Sequence, residues 1–182
     1  MSHKEQEPAS SSTKRLFFAL WPDEDVAHKI KQHVLKQFLD CQGKILQQHN
    51  WHITLAYFGV ADEDTQACLE EHAQNIKSDA FELNLSKCGF WSRPKVAWLA
   101  PEEVPAVLKQ LIYDLQHAII PCGFSPETRD YQPHITLVRK AKCDPTVSEI
   151  KPIHMKVLGF SLVESKTYAA GAEYKILKSW SF

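Results

Sequence analysis

Two short stretches of the chain carry the same pair of reactive side chains at the same spacing. They are His52-Ile53-Thr54-Leu55 and His134-Ile135-Thr136-Leu137. Both alternate polar and aliphatic residues and are rich in β-branched side chains, which predicts two β-strands. Residues two positions apart share one face of a strand, so each imidazole lies beside a threonine hydroxyl while the aliphatic side chains face a core. Each stretch therefore predicts a reactive pair on a rigid support.

The chemistry that these residue types suit is acid–base catalysis at an anionic centre. The unperturbed pKa of histidine is about 6.5, so one ring can accept a proton while a second ring donates one. Threonine hydroxyls can donate hydrogen bonds to anionic oxygens. This combination suits in-line displacement at phosphorus, with His52 and His134 on opposite sides of the phosphorus atom and Thr54 and Thr136 as phosphate-binding groups.

Arg139 lies five residues beyond His134 and is a further candidate for binding phosphate. Strict alternation along a strand places Arg139 on the face opposite His134. The role therefore predicts a β-bulge or the end of the strand near Val138.

Other chemistries find less support in the sequence. Zinc binding by the two histidines is geometrically open, but no carboxylate or cysteine lies near them in a ligand pattern. The phosphate-binding, dinucleotide-binding and nucleophile-elbow motifs GxxxxGK[ST], GxGxxG and GxSxG are absent from the sequence. A single His-x-Thr strand is also typical of a half-buried structural histidine. A structural protein with two such strands remains an alternative.

The elements that must position these residues alternate between strands and amphipathic helices. The predicted strands are 15–21, 51–58, 81–90, 95–100, 134–139, 155–162 and 174–180, and the predicted helices are 24–39, 63–77 and 102–120. Asp23 and Asp62 are the expected N-caps of the first two helices. The mixture and the hairpin-like spacing late in the chain predict an α+β fold with largely antiparallel sheet.

The two halves of the chain follow the same order of elements, which indicates a duplicated unit. Phe17 lies 35 residues before His52, and Trp98 lies 36 residues before His134. A Gly-Phe pair follows in each half, at 89–90 and at 159–160. The repeat predicts a pseudo-two-fold arrangement of two mostly antiparallel sheets that flank a central cleft, with helices on the outside. Both His/Thr pairs would then converge on one point.

Length and composition fit one bilobal domain over residues 14–182, preceded by a disordered arm over residues 1–13. The 182 residues are 44% hydrophobic and carry a net charge of −1, so no global basic field attracts long nucleic acid. Neither a secretory signal nor a membrane segment is expected. Five scattered cysteines without CxxC spacing predict reduced thiols in the cytosol, without a disulfide framework or a zinc site.

The paired stretches HITLAYFG and PHITLVRK resemble the signatures of the two-histidine phosphoesterase superfamily. RLFFALWP, KVAWL and Arg139 narrow the resemblance to the bacterial RNA 2′,3′-cyclic phosphodiesterases, also called 2′-5′ RNA ligase-like proteins. The resemblance implies a cytoplasmic hydrolase without metal or nucleotide cofactor that opens 2′,3′-cyclic phosphates at RNA ends to 2′-phosphates. His52 would be the proton donor and His134 the proton acceptor, with Thr54, Thr136 and Arg139 binding substrate. Some members also join RNA ends reversibly through a 2′-5′ bond without ATP.

Two alternatives of function stay open at this point. One is a non-catalytic module that binds RNA ends. The other is a phosphodiesterase for 2′-5′ oligoadenylate or a small cyclic nucleotide. We expect a monomer whose partners are RNA ends or nucleoside 2′,3′-cyclic phosphates, without a membrane partner. Candidates for stacking on the base are Phe18, Tyr57, Trp91 and Tyr131.

Overall fold

A computed structural model describes residues 13–142, 150–168 and 171–182. The predicted N-terminal arm lies almost entirely outside the described residues. So do Cys143, most of the irregular segment expected over 142–152, and the centre of the turn expected over 168–171.

Nine strands and three α-helices make up the regular structure of the described residues. The strands are β1 Lys14–Leu20, β2 Lys44–Ile45, β3 Ile53–Ala61, β4 Phe81–Trp91, β5 Val96–Pro101, β6 Ile135–Arg139, β7 Ile153–Val157, β8 Gly159–Tyr168 and β9 Gly171–Ser181. The α-helices are α1 Glu24–Lys29, α2 Glu63–Ala73 and α3 Ala106–Ala118. The predicted first helix continues beyond α1 as a π-helix, Ile30–Val34, and a 3-10 helix, Leu35–Cys41. The α+β class is confirmed.

The helix boundaries follow from local chemistry. The carboxylates of Asp23 and Asp62 each accept a hydrogen bond, of 2.8 Å in both cases, from the third backbone N–H that follows. Both are the predicted N-caps. The third helix begins at Ala106, four residues later than predicted, because Pro105 disfavours helical geometry at the residue before it.

All strand pairs are antiparallel, and the strands lie in the order β7-β4-β5-β6-β3-β1-β8-β9, with β2 beside β6. The centre of the order is a single pair, Ile53 opposite Ile135, which joins β3 to β6. We call it the central isoleucine pair. It links the two predicted sheets into one nine-stranded sheet with equivalent strands on either side, an order consistent with the predicted duplication.

One detail of the predicted repeat is wrong. Phe17 and Trp98 are counterparts in the repeat. Gly89 lies opposite Trp98, but the residue that lies opposite Phe17 is Val163. Gly159 instead lies opposite Ser181 at the start of the β8–β9 pairing. The two Gly-Phe pairs are therefore not equivalent positions.

A second correction concerns the strand predicted over 155–162, which is two strands. The strands on either side of the central isoleucine pair form the two arms of the sheet. β7 pairs with β4 in one arm and β8 pairs with β1 in the other, so the chain passes between the arms at Leu158. Consecutive Cα atoms are only about 3.8 Å apart. The sheet must therefore curve until its two arms meet at this point. The Phe182 N–H donates a 2.9 Å hydrogen bond to the Leu158 carbonyl and helps to hold the junction.

The core lies on one face of the curved sheet and draws on both arms and the helices. Its fully buried large side chains include Phe18, Trp51, Leu83 and Leu99, together with the central isoleucine pair. A smaller cluster of Phe17, Ala19 and Val163 lies apart from this core. β1 is therefore buried on both faces, as its continuous hydrophobicity indicates. None of the helices in the described parts of the chain is long and apolar enough to cross a membrane.

The cysteines correct another prediction, because Cys68 and Cys122 form a disulfide. Cys68 lies on α2, and Cys122 ends a 3-10 turn, Ile120–Cys122, that follows α3. The two positions are 54 residues apart, and only the packing of α2 against this turn brings them together. Cys88 is a free, half-buried thiol, and burial raises its pKa to about 12.

Candidate active site

The central isoleucine pair fixes how the two His/Thr motifs meet. Extending its antiparallel register by one residue in each direction puts His52 opposite Thr136 and Thr54 opposite His134. Residues directly opposite each other share one face of a sheet. The four side chains therefore form a two-by-two block on one face, while the isoleucines point into the core.

The two histidines occupy the diagonal of this block. Diagonal neighbours on adjacent antiparallel strands lie roughly 7–8 Å apart. The rings are near enough that the charge of His134 contributes to lowering the pKa of His52, behind burial and the charge of Arg139. The motifs thus meet on one face of the sheet, an arrangement that is consistent with the predicted repeat.

Arg139 reaches the same site through a β-bulge. Thr136 lies opposite Trp98 and Val138 opposite Ala97, so Leu137 is an extra residue in β6. The bulge interrupts the alternation: Leu137 and Val138 are both buried, and Arg139 is exposed. Arg139 lines the same hollow as His52. The sequence analysis predicted that Arg139 shares the face of His134 only if a bulge or the strand end lies near Val138, and the bulge is present.

The first motif has the same bulge. Thr54 lies opposite Ala19 and Ala56 opposite Phe18, so Leu55 is an extra residue in β3. The residue five positions beyond His52 is Tyr57, the counterpart of Arg139. The Tyr57 side chain is 61% exposed. The two halves thus share a β-bulge at the same position, after which the first half presents an aromatic ring and the second half a guanidinium group.

Backbone carbonyls orient both imidazoles in the same way. His52 Nδ1 lies 2.8 Å from the carbonyl oxygen of Asn50, and His134 Nδ1 lies 2.9 Å from that of Gln132. A carbonyl only accepts hydrogen bonds, so Nδ1 carries the hydrogen and donates it. Nε2 of each ring is therefore the nitrogen that remains for proton transfer.

The pKa values of both histidines are lower than usual. Burial, with a smaller contribution from the positive charge of Arg139, lowers the pKa of His52 from 6.5 to about 4. Burial also lowers the pKa of His134, again with a contribution from Arg139. The hydrogen bonds to Asn50 and Gln132 act in the opposite direction without overcoming burial. Both rings are therefore neutral at neutral pH when no anion is bound.

Aromatic side chains account for much of this burial. The His52 ring lies 5.0 Å from Phe17, 5.2 Å from Trp21 and 4.8 Å from Tyr174, measured between ring centroids. The His134 ring makes an edge contact with Trp91 at 4.5 Å. These walls restrict the orientation of the rings and remove water from them.

Two open hollows flank the block. The first, of about 670 Å³, contains His52 and Arg139 and further basic side chains, Arg15 and Lys44. The second, of about 900 Å³, contains His134. Thr54 and Tyr57 line both hollows, so they mark where the two meet. Thr136 is placed by the register, opposite His52.

The four stacking candidates differ in accessibility. Phe18 is fully buried in the core, so its assignment as a stacking residue is wrong. Tyr131 donates a 2.9 Å hydrogen bond to the Thr54 carbonyl, and burial raises the pKa of its hydroxyl. Trp91 is engaged with His134. Tyr57 and the half-buried Trp91 both line the second hollow, and Tyr57 is the more exposed of the two.

Several residues of the site gave no signal in the sequence. Asn50 and Gln132 act through their backbone carbonyls, which every residue type possesses. Tyr174 comes from β9, more than a hundred residues from His52, so only the fold shows the contact. Asn50 ends the polar segment 47–50, so the sequence did not indicate that its side chain is buried and that its amide donates a 3.0 Å hydrogen bond to the Ala172 carbonyl.

Candidate metal ligands cluster elsewhere in the described residues. The one group of three or more with suitable spacing is Cys68, His72 and Cys122, which line neither hollow.

Comparison with known proteins agrees with this geometry. The family model for the 2'-5' RNA ligase superfamily matches residues 19–168. An RNA 2',3'-cyclic phosphodiesterase of Escherichia coli is 30% identical over 94% of this chain and 98% of its own length. One of Archaeoglobus fulgidus is 27% identical over 90% and 98%. The crystal structure of E. coli LigT complexed with 3'-AMP superimposes with a TM-score of 0.86 at 29% identity, covering 94% of this chain and 99% of that one. The protein described here belongs to the 2'-5' RNA ligase superfamily.

Proposed function

We propose that the protein is an RNA 2′,3′-cyclic phosphodiesterase that converts a terminal cyclic phosphate into a 2′-phosphomonoester. The observation that carries the proposal is the two-by-two block, which places two imidazoles and two hydroxyls beside one another on one face of the sheet. The relatives named above act on this class of ester, and one solved relative binds 3'-AMP.

The reaction is an in-line displacement at phosphorus. His134 Nε2 takes a proton from water as the water oxygen bonds to phosphorus. The bond from phosphorus to the 3′ oxygen breaks, and His52 Nε2 gives a proton to that oxygen. The product carries a 2′-phosphate and a 3′-hydroxyl, and the two histidines have exchanged protonation states. The nearly symmetric geometry does not distinguish donor from acceptor, so this assignment follows the family resemblance.

The low pKa of His52 sets a condition on its role as proton donor. Burial and the charge of Arg139 keep the ring neutral in the free protein. A bound phosphodiester brings a negative charge beside the ring, and a nearby opposite charge raises the pKa of an imidazole. Substrate binding therefore helps to protonate the donor, so the acid forms where it is needed.

The remaining polar groups hold the phosphate. Thr54 and Thr136 donate hydrogen bonds to its non-bridging oxygens, each from the position opposite a histidine. Arg139 neutralises part of its charge from the side of the first hollow. This arrangement stabilises the charge that develops at phosphorus and needs no metal ion.

Incubation with a nucleoside 2′,3′-cyclic phosphate in excess EDTA tests the proposal. We expect the 2′-nucleotide as product, identified by chromatography against both isomers. His52→Ala and His134→Ala should each lower kcat by about 10²- to 10⁴-fold, the usual contribution of general acid–base catalysis. The double variant should lose less than the product of the two effects, because the residues act as a unit.

His117 offers a matched control. It lies exposed on α3, and its Nδ1 also bonds a backbone carbonyl, that of Tyr113, at 2.7 Å. His117→Ala should therefore leave turnover unchanged. Turnover that survives in His52→Ala or His134→Ala would refute the proposal, as would a 3′-nucleotide product. Binding of the nucleotide without turnover would instead support a non-catalytic module for RNA ends.

The proposal extends to the partner and the cellular setting. The substrate is an RNA end or a nucleoside 2′,3′-cyclic phosphate, acted on by a monomer in the cytoplasm. Ligation through a 2′-5′ bond is the same displacement with the 5′-hydroxyl of a second RNA in place of water: its oxygen bonds to phosphorus, the bond from phosphorus to the 3′ oxygen breaks, and the 3′ oxygen takes up a proton. The cytoplasmic assignment now rests on the kind of substrate, because the Cys68–Cys122 disulfide removes two of the thiols that first indicated it.

A further inference from the structure

A second cluster of chemically reactive side chains lies outside both hollows. Cys68 and His72 are one helical turn apart on α2, and Cys122 approaches them from the 3-10 turn after α3. One donor atom from each residue, a sulfur or a ring nitrogen, lies within 4.8 Å of the other two. All three side chains are half-buried. Residues four apart on a helix share a face, so α2 presents its sulfur and its imidazole together.

We propose that this cluster, once its two sulfurs are reduced, binds one Zn²⁺ ion through Cys68, His72 and Cys122. Two thiolates and one imidazole form a donor set that zinc prefers, and a water molecule can complete a tetrahedral site. The donor atoms come from two elements that already pack together, so little chain has to be ordered for binding.

The state of His72 favours ligation. In the part of the chain that the structure describes, its ring makes no hydrogen bond, although it is half-buried. Both of its nitrogens therefore remain for a metal ion. His117 differs in this respect, because its Nδ1 is already engaged with the Tyr113 carbonyl.

The disulfide and the metal compete for the same two sulfurs. Closing the disulfide on the zinc form transfers two electrons from the two thiolates to an oxidant, such as a low-molecular-weight disulfide that leaves as two thiolates, and releases Zn²⁺. Reopening it takes two electrons from a dithiol. Thiols of cytosolic proteins are kept reduced, and there paired cysteines bind metal more often than they form structural disulfides. The zinc form is therefore the form expected in that compartment.

The site joins α2 to the turn that begins the loop before His134. Phe124, two residues beyond Cys122, lines the second hollow. The metal would hold that turn against α2 when the disulfide is open, so its role is structural and separate from proton transfer.

Metal binding by the reduced full-length protein tests the inference. The protein is reduced with a phosphine, freed of reductant under argon, and titrated with Co²⁺ and then Zn²⁺. We expect one equivalent of Co²⁺ to give a thiolate-to-cobalt charge-transfer band, which Zn²⁺ abolishes. The disulfide form should give no such band. Bound Zn²⁺ should also raise the Tm of the reduced protein, because it binds only the folded state tightly.

Variants separate this site from other ligands. Cys68→Ser, Cys122→Ser and His72→Gln should each weaken Zn²⁺ binding by at least about 10-fold, the loss that even an outer-shell partner can cause. Cys88→Ser and His117→Gln change one residue of each type outside the cluster and should bind as the wild type does. Circular dichroism confirms that each variant is folded.

Two results would overturn the inference. One is a reduced wild-type protein that takes up no stoichiometric Co²⁺ or Zn²⁺. The other is binding that is unchanged in Cys68→Ser, Cys122→Ser or His72→Gln.

Discussion

Arg139 provides a direct test of the electrostatics of the site. Burial is the main cause of the low pKa values of His52 and His134, and the charge of Arg139 lowers both further. Arg139→Gln removes that charge, so both pKa values should rise. In the proposed reaction Arg139 also binds the phosphate. The same substitution should therefore slow the enzyme and move its pH dependence.

The size of the rate loss follows from the worth of a charged hydrogen bond, about 1.5–3 kcal/mol. At about 1.4 kcal/mol per tenfold, kcat/KM should fall by about 10- to 150-fold. The pH profile of kcat/KM reports the pKa values of the free enzyme. Both histidine pKa values lie below 6.5, that of His52 at about 4, so the wild-type maximum should lie on the acid side of 6.5. In Arg139→Gln both limbs of the profile should move to higher pH.

The assay is initial-rate hydrolysis of a nucleoside 2′,3′-cyclic phosphate across the pH range at constant ionic strength. Arg139→Lys keeps the charge but loses the planar fork, so its profile should stay in place while its rate falls. Arg93→Gln is the matched control, because Arg93 is exposed between β4 and β5 and lines neither hollow. A profile of Arg139→Gln that stays in place, or moves to lower pH, would refute the reasoning.

Three further predictions concern stacking, phosphate binding and packing. Tyr57→Ala should raise KM by about 5- to 150-fold, since base stacking is worth about 1–3 kcal/mol. Tyr57→Phe, which keeps the ring, and Tyr113→Ala, at another exposed tyrosine, should leave KM unchanged. An unchanged KM in Tyr57→Ala would contradict the stacking role. Thr136→Val should lower kcat/KM by about 10- to 150-fold, because it removes one hydrogen bond to an anionic phosphate oxygen, worth about 1.5–3 kcal/mol, and full activity would contradict that contact. Gly89→Ala places a Cβ 2.3 Å from the Trp98 ring, so urea unfolding should show a loss of about 1–3 kcal/mol; wild-type stability would contradict the close packing.

The sequence was most informative where a local pattern decides the structure. Alternation in the two His-x-Thr-Leu stretches predicted which side chains face the core and which lie on the other face of the sheet. The same alternation would place Arg139 on the face opposite His134, so it also predicted a bulge near Val138. The bulge itself had no local signature, because Leu137 is an ordinary strand residue and only its register against Trp98 and Ala97 reveals the extra position.

Contacts between residues far apart in the chain could not be predicted from local sequence patterns. The run from Met155 to Leu162 contains no proline and is predicted as one strand, although the pairing partner changes at Leu158 from β4 to β1. The Cys68–Cys122 contact spans 54 residues and follows from how α2 packs, which no cysteine spacing encodes. The carbonyls that orient His52 and His134 belong to the backbone, so no residue type in the sequence predicts these hydrogen bonds.

The two bulges also suggest how a nearly symmetric backbone can direct an asymmetric reaction. Each motif supplies a histidine, a threonine and, through its extra leucine, a fifth residue on the same face. The first half supplies the ring of Tyr57 at that position and the second half the charge of Arg139. A substrate with a base at one end and a phosphate at the other can satisfy both residues in one orientation only. That orientation fixes which histidine faces the leaving oxygen, so the difference between these two residues, rather than any difference between the imidazoles, would assign donor and acceptor.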